Sequence, residues 1–522
     1  MRLKKLRLDN LLKIDDGLIL VKNNEGNIST SNAKSNSIEE NISGVAIDSR
    51  KCEEGFLFAA YEGVSIDGHD FIQDAINNGA KFILTDLDYN HHNLGSEGVI
   101  FIKHDNPRFV SSKIISEFYK EKPDYIAFVT GTNGKSSVAC FVSQLWRLLG
   151  HKAASIGTLG VQRESINEFG DGLTTPDAVT LNRYLNDLKK DTYQRAIVES
   201  SSHGLSLDRL VGIKSDIAAF LNITRDHLDY HGSFSSYFDA KLKVFDHLKD
   251  DNSVALINSD IKELSDIKQY CNKLNIRNNN DKNTNILTFG FDGDYIKLIS
   301  SELDSGGRNV EIELENTQYK FFFPFLNQFQ VSNLLCAISI VMHSGENIND
   351  IIPVISELKN VPGRMELASI NKNNGVPIYV DFAHTPDALD NILESCNEYV
   401  ESSKGRIILV FGCGGDRDKG KRKIMGQIAN DKADIVIVTD DNPRTENSAD
   451  IRSEIMGDCH KAQNIGSRKD AIYRAIEQSD KGDIVIIAGK GHEKYQIVGD
   501  RKIDFNDIAV VKKSLLELEM IA

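Results

Sequence analysis

The chain has 522 residues, too many for one hydrophobic core, so about three domains are expected. Hydrophobic residues make up 40% and charged residues 26%, the balance of a soluble globular protein, and the net charge of −15 argues against a sequence-independent grip on nucleic acid or an anionic membrane. Seven scattered cysteines without a CxxC pair argue against a disulfide framework or zinc site, and the absence of a long apolar stretch or signal-peptide pattern argues against membrane insertion; a cytoplasmic location is expected.

In chain order, residues 1–122 alternate short strands and helices. "GFLFAA" and "GVIFIKH" read as strands, "HDFIQDAINNGA" as a helix closed by Gly79, and the Asn- and Ser-rich 22–42 as a surface loop. A second unit, 123–361, opens with "YIAFVTGTNGKSSVACFVSQLWRLLG", a strand, glycine loop and helix. The runs "RAIVES", "IAAFLNIT" and "SVALIN" add strands, and the alternation predicts a parallel α/β sheet, with a polar loop at 275–285. The third unit, 362–522, has four apolar strands, "PIYVDFAHT", "RIILVFGCGG", "DIVIVTDD" and "DIVIIAGKG", each running into a polar or glycine-rich loop. Ligands in open α/β sheets collect at those carboxyl ends.

"TGTNGKSS" (130–137) between strand and helix suits a polyphosphate. Amides of Gly131, Thr132, Asn133 and Gly134 would cradle it, Lys135 would reach the terminal phosphates, and Ser136, followed by Ser137, would offer a hydroxyl to Mg²⁺. The general GxxxxGK[ST] pattern fails because Val129 stands at its first glycine; the tighter GxxGKS holds. The bland alternative is a glycine-rich turn with a lysine.

The "GTNGK" loop resembles that of the Mur ligases, ATP-dependent enzymes that build the peptidoglycan stem peptide, and of the related folylpolyglutamate synthetases. "DSRKCEEGFLFAAYEGVSIDGHDF", "TTPD", "ESSSHGL", "NITRDHLDYHG", "PGRME", "DFAHTPDAL", "GCGGDRDKGKR", "DDNPRT" and "AGKGHEKYQI" extend the resemblance over nearly the whole chain, in order. They are similar to the branch of the family that adds the third residue to UDP-N-acetylmuramoyl-L-alanyl-D-glutamate. The resemblance implies a three-domain α/β protein: a UDP-sugar-binding domain, a central ATPase domain with a P-loop-type parallel sheet, and a Rossmann-like C-terminal domain that takes the amino acid. It also implies ATP and Mg²⁺ as cofactors, a monomer, and an acyl-phosphate intermediate.

Carried over residue by residue, the resemblance gives catalytic roles to Lys135, Glu199, His227 and Lys241, and makes Ser136, Glu199, His227 and Lys241 the metal set. Without it, Glu199 is as well read as a solvated strand-end acid, His227 as a structural histidine, and Lys241 as a surface charge. In the family, the lysine matching Lys241 carries a CO₂-derived carbamate, an anionic oxygen ligand where an ammonium would repel the cation. Asn333, Arg364, Asp381 and His384 match nucleotide positions, although "LNQFQVSN" departs from the family pattern. Ile47, Ser49, Val64, Ser65 and Ile66 match the UDP-sugar site, and Thr174, Thr175, Ser201 and Arg209 the muramoyl-dipeptide site. Leu173 and Leu207 stand where relatives often have Asn and Gln.

The tetrapeptide DNPR occurs twice, at 105–108 and 441–444. The first copy runs into a helical pattern, with Asp105 or Asn106 as cap and Pro107 in the first turn, and local structure explains it. The second, Asp441, Asn442, Pro443 and Arg444, lies in a loop at a strand's carboxyl end, where an arginine can grip a carboxylate in bidentate fashion. In the family this copy marks enzymes that add meso-diaminopimelate: Arg444 would pair with its extra carboxylate and Glu493 with its far-end ammonium, beside Arg417 and Gly489. The competing readings are the same ligase using L-lysine, a non-catalytic scaffold, and a folylpolyglutamate synthetase.

Overall fold

The computed structural model describes residues 5–520 apart from 25–26, 33–39, 65, 91–97, 164–166, 169–171, 250–251, 278–284 and 305. Three large sheets follow one another along the chain. The first has six strands in the spatial order Asn27–Asn32, Ile19–Asn24, Ile100–His104, Ala80–Asp86, Phe56–Ala59 and Gly44–Ala46. Here one expectation fails. Part of 22–42 is a hairpin, Ile19–Asn24 against Asn27–Asn32, and not a surface loop. Its first strand also pairs with Ile100–His104, Leu20 opposite Ile102, so a ladder to a distant apolar strand overrides polar local composition. Residues 33–39 lie outside the described residues, as does most of the expected loop at 275–285, of which 275–277 end a helix.

The second sheet has eleven strands. Its parallel middle places Tyr125–Thr130 between Arg195–Glu199 and Ile217–Phe220. The expected parallel order holds there, but both ends turn antiparallel; on one side Ile296–Asp304, Gly307–Leu314 and Thr317–Phe323 form a meander that the sequence reading missed. Helices Lys135–Leu148 and Gln328–His343 bury Val138, Phe141, Trp146, Leu334 and Ile338 on one face of this sheet. Burial of such side chains contributes about 1.5–3 kcal/mol each, so the strand and helix flanking the glycine loop are anchored while the loop itself stays at the sheet's carboxyl end.

The third sheet runs Glu366–Ile370, Pro377–Asp381, Ile484–Ala488, Ile407–Phe411, Ile435–Val438 and Ala462–Asn464, all parallel beyond the first strand. The four strands expected from the apolar runs are its center. Polar contacts bind this unit to the middle one: buried Arg308 pairs with Glu398, Arg225 with Asp418 at 3.3 Å, and Asn133 Nδ2 donates to Asp387 Oδ2 at 2.9 Å. All seven cysteines are free and buried. Among the described residues, no helix is long and apolar enough to cross a membrane.

Candidate active site

The glycine loop joins Tyr125–Thr130 to the helix Lys135–Leu148. Gly134 takes φ +90°, and a Cβ there would lie 2.4 Å from Asn333 Oδ1, so glycine is required by conformation and by space. The amides of the helix's first turn are the anion-binding feature expected of a phosphate loop. Lys135 folds back over it, donating to the carbonyls of Gly131 at 2.8 Å and Thr132 at 2.9 Å. Burial lowers its pKa, opposed by the charge of Glu199. Thr132 Oγ1 meets Tyr237 Oη at 3.0 Å, and Asn133 N donates to Asn222 Oδ1 at 2.9 Å, which secures the loop from behind.

Glu199 ends its strand fully inside the protein, 2% exposed, which rules out the solvated strand-end alternative. Its Oε2 accepts from Ser136 Oγ at 2.9 Å and Thr158 Oγ1 at 3.1 Å, and its Oε1 from Thr158 N at 3.0 Å. A Cβ on Gly157 would come within 2.0 Å of Oε1, so that glycine makes room for the carboxylate. Burial raises the Glu199 pKa, and Lys135 and then Arg364 oppose the rise. Ser136 and Glu199 thus set adjacent hard oxygen donors beside the loop, the chemistry Mg²⁺ prefers. Among the described residues, no three His, Cys, Asp or Glu side chains converge in a cation site, so Glu199 and His227 do not complete one by themselves.

His227 has φ 51° and stands edge-on to His203, ring centroids 4.7 Å apart. Burial pushes its pKa down to about 4, against the pull of Asp226, so the ring is neutral at pH 7. His203, also pushed down to about 4 by burial, packs on Tyr230 and His231 as well; it sits in the "ESSSHGL" motif but was given no role from sequence. Lys241 is 1% exposed, donates to Gly131 O at 2.7 Å, and lies 4.7 Å from the centre of the Tyr237 ring. Burial, then the neighbouring Lys135 charge, drives its pKa well below the usual lysine value. Lys243, two residues on, is exposed. A surface-charge reading therefore fits Lys243 and fails for Lys241.

A cavity of about 300 Å³ opens between the glycine loop and the third unit. Asn133, Gly134, Ser137, Asn333, Arg364, Asp381 and His384 line it, while Gly131, Thr132, Lys135 and Ser136 of the expected nucleotide set do not. Arg364 reaches across, Nη2 to Ser136 Oγ at 3.3 Å, with its guanidinium over the Phe382 ring at 4.7 Å. Asp381 accepts from the amides of Met365 and Ala383, both at 2.6 Å. Burial lifts its pKa to about 6. Its Oδ2 thus pins the backbone that carries Arg364, while Oδ1 fixes its own loop at Ala383, and Met365 is held at φ 46°. Strained residues of this kind persist where surrounding contacts over-determine them. His384 donates from Nδ1 to Phe382 O at 2.8 Å, and Lys421 donates to His384 O at 2.7 Å. Asp387 and Phe329 also line the cavity, though sequence reasoning assigned them nothing.

Behind Glu199 the four dipeptide-site residues form one network. Thr158 Oγ1, which donates to Glu199, meets Thr174 Oγ1 at 3.1 Å; Thr175 Oγ1 donates to Glu199 O at 2.8 Å, Ser201 N to Thr175 Oγ1 at 2.9 Å, and Arg209 to Thr175 O at 2.6 Å. Thr175 is fully buried, so it supports the others and does not itself face a ligand. Leu173 is exposed. In the first unit Ile47 packs on the core and Ser49 begins a short 3₁₀ turn capped by Asp48, while Val64 and Ile66 are exposed at 65% and 64% on a loop tip; Ser65 lies outside the described residues. The first DNPR copy behaves as expected: Asn106 Oδ1 caps the helix Pro107–Phe118 by accepting from Phe109 N at 3.0 Å. Arg108 donates to the Glu62 carbonyl and covers the Tyr61 ring.

The second copy lies in a loop after Ile435–Val438. Arg444 has φ 51°, held by its amide on Ile497 O at 3.2 Å and by Gly499 N on its carbonyl at 2.7 Å. Its Nη1 donates to Gly415 O at 2.7 Å, and among the described residues it forms no ion pair. Arg417 is exposed. Asp441 is buried beside Gly489, whose φ is +113° and whose Cβ would sit 2.7 Å from Asp441 Oδ2. Asn442 Nδ2 donates to Glu493 Oε2 at 3.0 Å. A phosphate loop, a buried carboxylate and an arginine from a second unit are the parts a nucleotide-dependent transferase or ligase uses, and a separate cluster of polar and charged side chains stands at the carboxyl ends of the third sheet.

Three family models match in order: "Mur ligase family, catalytic domain" over residues 41–121, "Mur ligase middle domain" over 129–341, and "Mur ligase, glutamate ligase domain" over 363–491. The chain belongs to the Mur ligase family. It is 41% identical to UDP-N-acetylmuramoyl-L-alanyl-D-glutamate--2,6-diaminopimelate ligase of Zymomonas mobilis, the alignment covering 91% of this chain and 95% of that one. To the Brucella melitensis ligase of the same name it is 40% identical, over 91% and 94%. A solved structure of a ligase of that name superposes with TM-score 0.65 at 30% identity, covering 93% of this chain and 97% of the other.

Proposed function

We propose that this protein is an ATP-dependent ligase that joins meso-diaminopimelate to the D-Glu side-chain carboxylate of UDP-N-acetylmuramoyl-L-alanyl-D-glutamate, as a cytoplasmic monomer in peptidoglycan synthesis. The observation that carries the reading is the cavity completed by two units: Arg364 reaches Ser136 across it, beside Lys135 and Glu199. The units 1–122, 123–361 and 362–522 then bind UDP-sugar, nucleotide and amino acid respectively.

The γ-phosphoryl group passes from ATP to the D-Glu carboxylate oxygen, the β–γ bond breaks, and ADP is left. The amine of diaminopimelate attacks the acyl carbon and phosphate departs with the C–O bond. Such transfer depends on positioning and on neutralising charge. Lys135 exchanges its two loop carbonyls for phosphate oxygens, Arg364 adds a second cation from the opposite wall, and the loop amides hold the phosphates. Ser136 and Glu199, with His227 and Lys241, would hold Mg²⁺, which would supply further neutralisation of the phosphate charge. Lys241 would contribute as a carbamate: its buried amine, favoured in the neutral form, would add to CO₂ with an N–C bond formed and one proton released, giving an anionic oxygen donor where an ammonium would repel the cation. Val64, Ser65 and Ile66, with Ile47 and Ser49, take the UDP-sugar, and Thr174, Ser201 and Arg209 the dipeptide, with Thr175 behind them.

The test is phosphate release with ATP, Mg²⁺ and UDP-N-acetylmuramoyl-L-Ala-D-Glu, comparing meso-diaminopimelate with L-lysine. Release with diaminopimelate alone is expected. Preference for lysine removes the reading of the second DNPR loop, and no release from folded protein removes the ligase. Arg444→Ala is expected to raise KM for diaminopimelate at least about tenfold, some 1.4 kcal/mol or more, because a charge-assisted bidentate contact is lost. KM for ATP stays within twofold, and Arg108→Ala changes neither; a selective diaminopimelate defect in Arg108→Ala means the wrong copy was assigned.

A further inference from the structure

Lys490 is fully buried among the residues read above as the diaminopimelate site, and neither the sequence reading nor the reaction above assigns it a role. It follows the strand Ile484–Ala488, between Gly489 at φ +113° and Gly491 at φ +52°. Both glycines are enforced by space: a Cβ on Gly491 would lie 2.7 Å from Phe382 Cβ, as one on Gly489 would from Asp441 Oδ2. The turn they make keeps the lysine inside. Its Nζ donates to Glu493 Oε2 at 2.7 Å and to Asn442 Oδ1 at 3.0 Å. Asn442 closes the triangle, donating from Nδ2 to the same Oε2 at 3.0 Å, while its Oδ1 also accepts from Ile497 N at 2.9 Å.

Two consequences follow. Both donors fall on Oε2, which leaves Oε1 as the Glu493 oxygen for an incoming ammonium. Glu493 is also the only carboxylate in ion-pair contact with Lys490 among the described residues, so its charge is already matched before any ligand arrives. An ammonium entering there meets an oriented acceptor whose charge Lys490 already matches; the neighbouring carboxylate, buried Asp441, is turned to the Asn442 amide at 2.6 Å. Arg444, by contrast, has no carboxylate partner among the described residues, its Nη1 resting on the Gly415 carbonyl.

We propose that Lys490 is a positioning and specificity-determining residue: by neutralising and orienting Glu493, it makes the far carboxylate of diaminopimelate, taken by Arg444, the obligatory handle, and so rejects amino acids that offer an ammonium alone. This rests on the reading of the pocket under Proposed function. Selectivity arises here from denying the competitor a net attraction as much as from contacts to the preferred ligand.

The experiment measures kcat/KM for meso-diaminopimelate and for L-lysine, by phosphate release, in the full-length protein and in Lys490→Met, Lys490→Gln and Lys490→Arg. The neutral variants are expected to lower the diaminopimelate-to-lysine preference at least tenfold, with lysine use rising above the unmodified protein's, and KM for ATP within twofold. Lys490→Arg keeps the preference within about threefold, and adding Glu493→Gln to Lys490→Met returns lysine use to the starting level because the surplus anion is gone. A folded neutral variant with preference within twofold overturns the proposal. So does an equal fall with both amino acids, or loss of folding in both neutral variants, which makes Lys490 a structural residue. Failure of the unmodified protein to use diaminopimelate at all instead overturns the function on which the proposal rests.

Discussion

Lys135→Ala is expected to lower kcat about a thousandfold, roughly 4 kcal/mol of transition-state stabilisation, with the protein still folded. Among the described residues the side chain makes no ion pair, and its ammonium bonds to the carbonyls of Gly131 and Thr132, in the loop it would leave to meet phosphate. Alanine is compatible with the first turn of Lys135–Leu148, and that helix is anchored by buried Phe141 and Trp146. The loss therefore falls on charge neutralisation and not on the fold. Phosphate release at saturating ATP, alongside a thermal unfolding curve, separates the two. Turnover near that of the unmodified protein with an unchanged unfolding midpoint would falsify the phosphate-loop assignment.

Lys241→Ala carries the second large effect: a fall in kcat of about a hundredfold or more, partly restored by added formate or acetate. The amine is buried, bonds to Gly131 O, and is pushed toward its neutral form first by burial and then by Lys135. A neutral amine adds to CO₂ and an ammonium does not, so activity of the unmodified protein should also decline in CO₂-depleted buffer and as falling pH protonates the amine. The small carboxylates supply the missing oxygen ligand from solution. Lys243→Ala is the control, since that side chain is exposed on the same turn. Full activity of Lys241→Ala without additives rejects the carbamate, and a loss that no carboxylate restores leaves Lys241 a packing role only.

The strained residues of the site have a common pattern. His227, Met365 and Arg444 are all left-handed without being glycine. Each adjoins a group assigned to binding or catalysis, and for Met365 and Arg444 backbone hydrogen bonds hold the conformation. Such residues cost of order 1–3 kcal/mol each and survive where neighbouring contacts fix them. Here the fixing partners, Asp381 for Met365 and the Ile497–Gly499 turn for Arg444, come from distant parts of the chain.

That distance marks what sequence alone determined. Local signals carried the glycine loop, its flanking strand and helix, the Asn106 cap, and the four apolar strands of the third sheet, because glycine φ requirements, capping and hydrophobic periodicity act over a few residues. The same signals missed the hairpin at 19–32, where pairing with the remote strand Ile100–His104 outweighs local composition, and the meander at 296–323, whose strands pair with their sequence neighbours. Only the tertiary structure decided that Arg364 meets Ser136 from 228 positions away, that Asn133 meets Asp387 from 254, and that Lys490 and Asn442 bond from 48. It also separated Lys241, buried, from Lys243, exposed, and Glu199, enclosed, from an ordinary strand-end acid. Strand order in the sheets and the docking of the third unit set which charges share a cavity, and desolvation within that cavity then sets their protonation and the partners they must have.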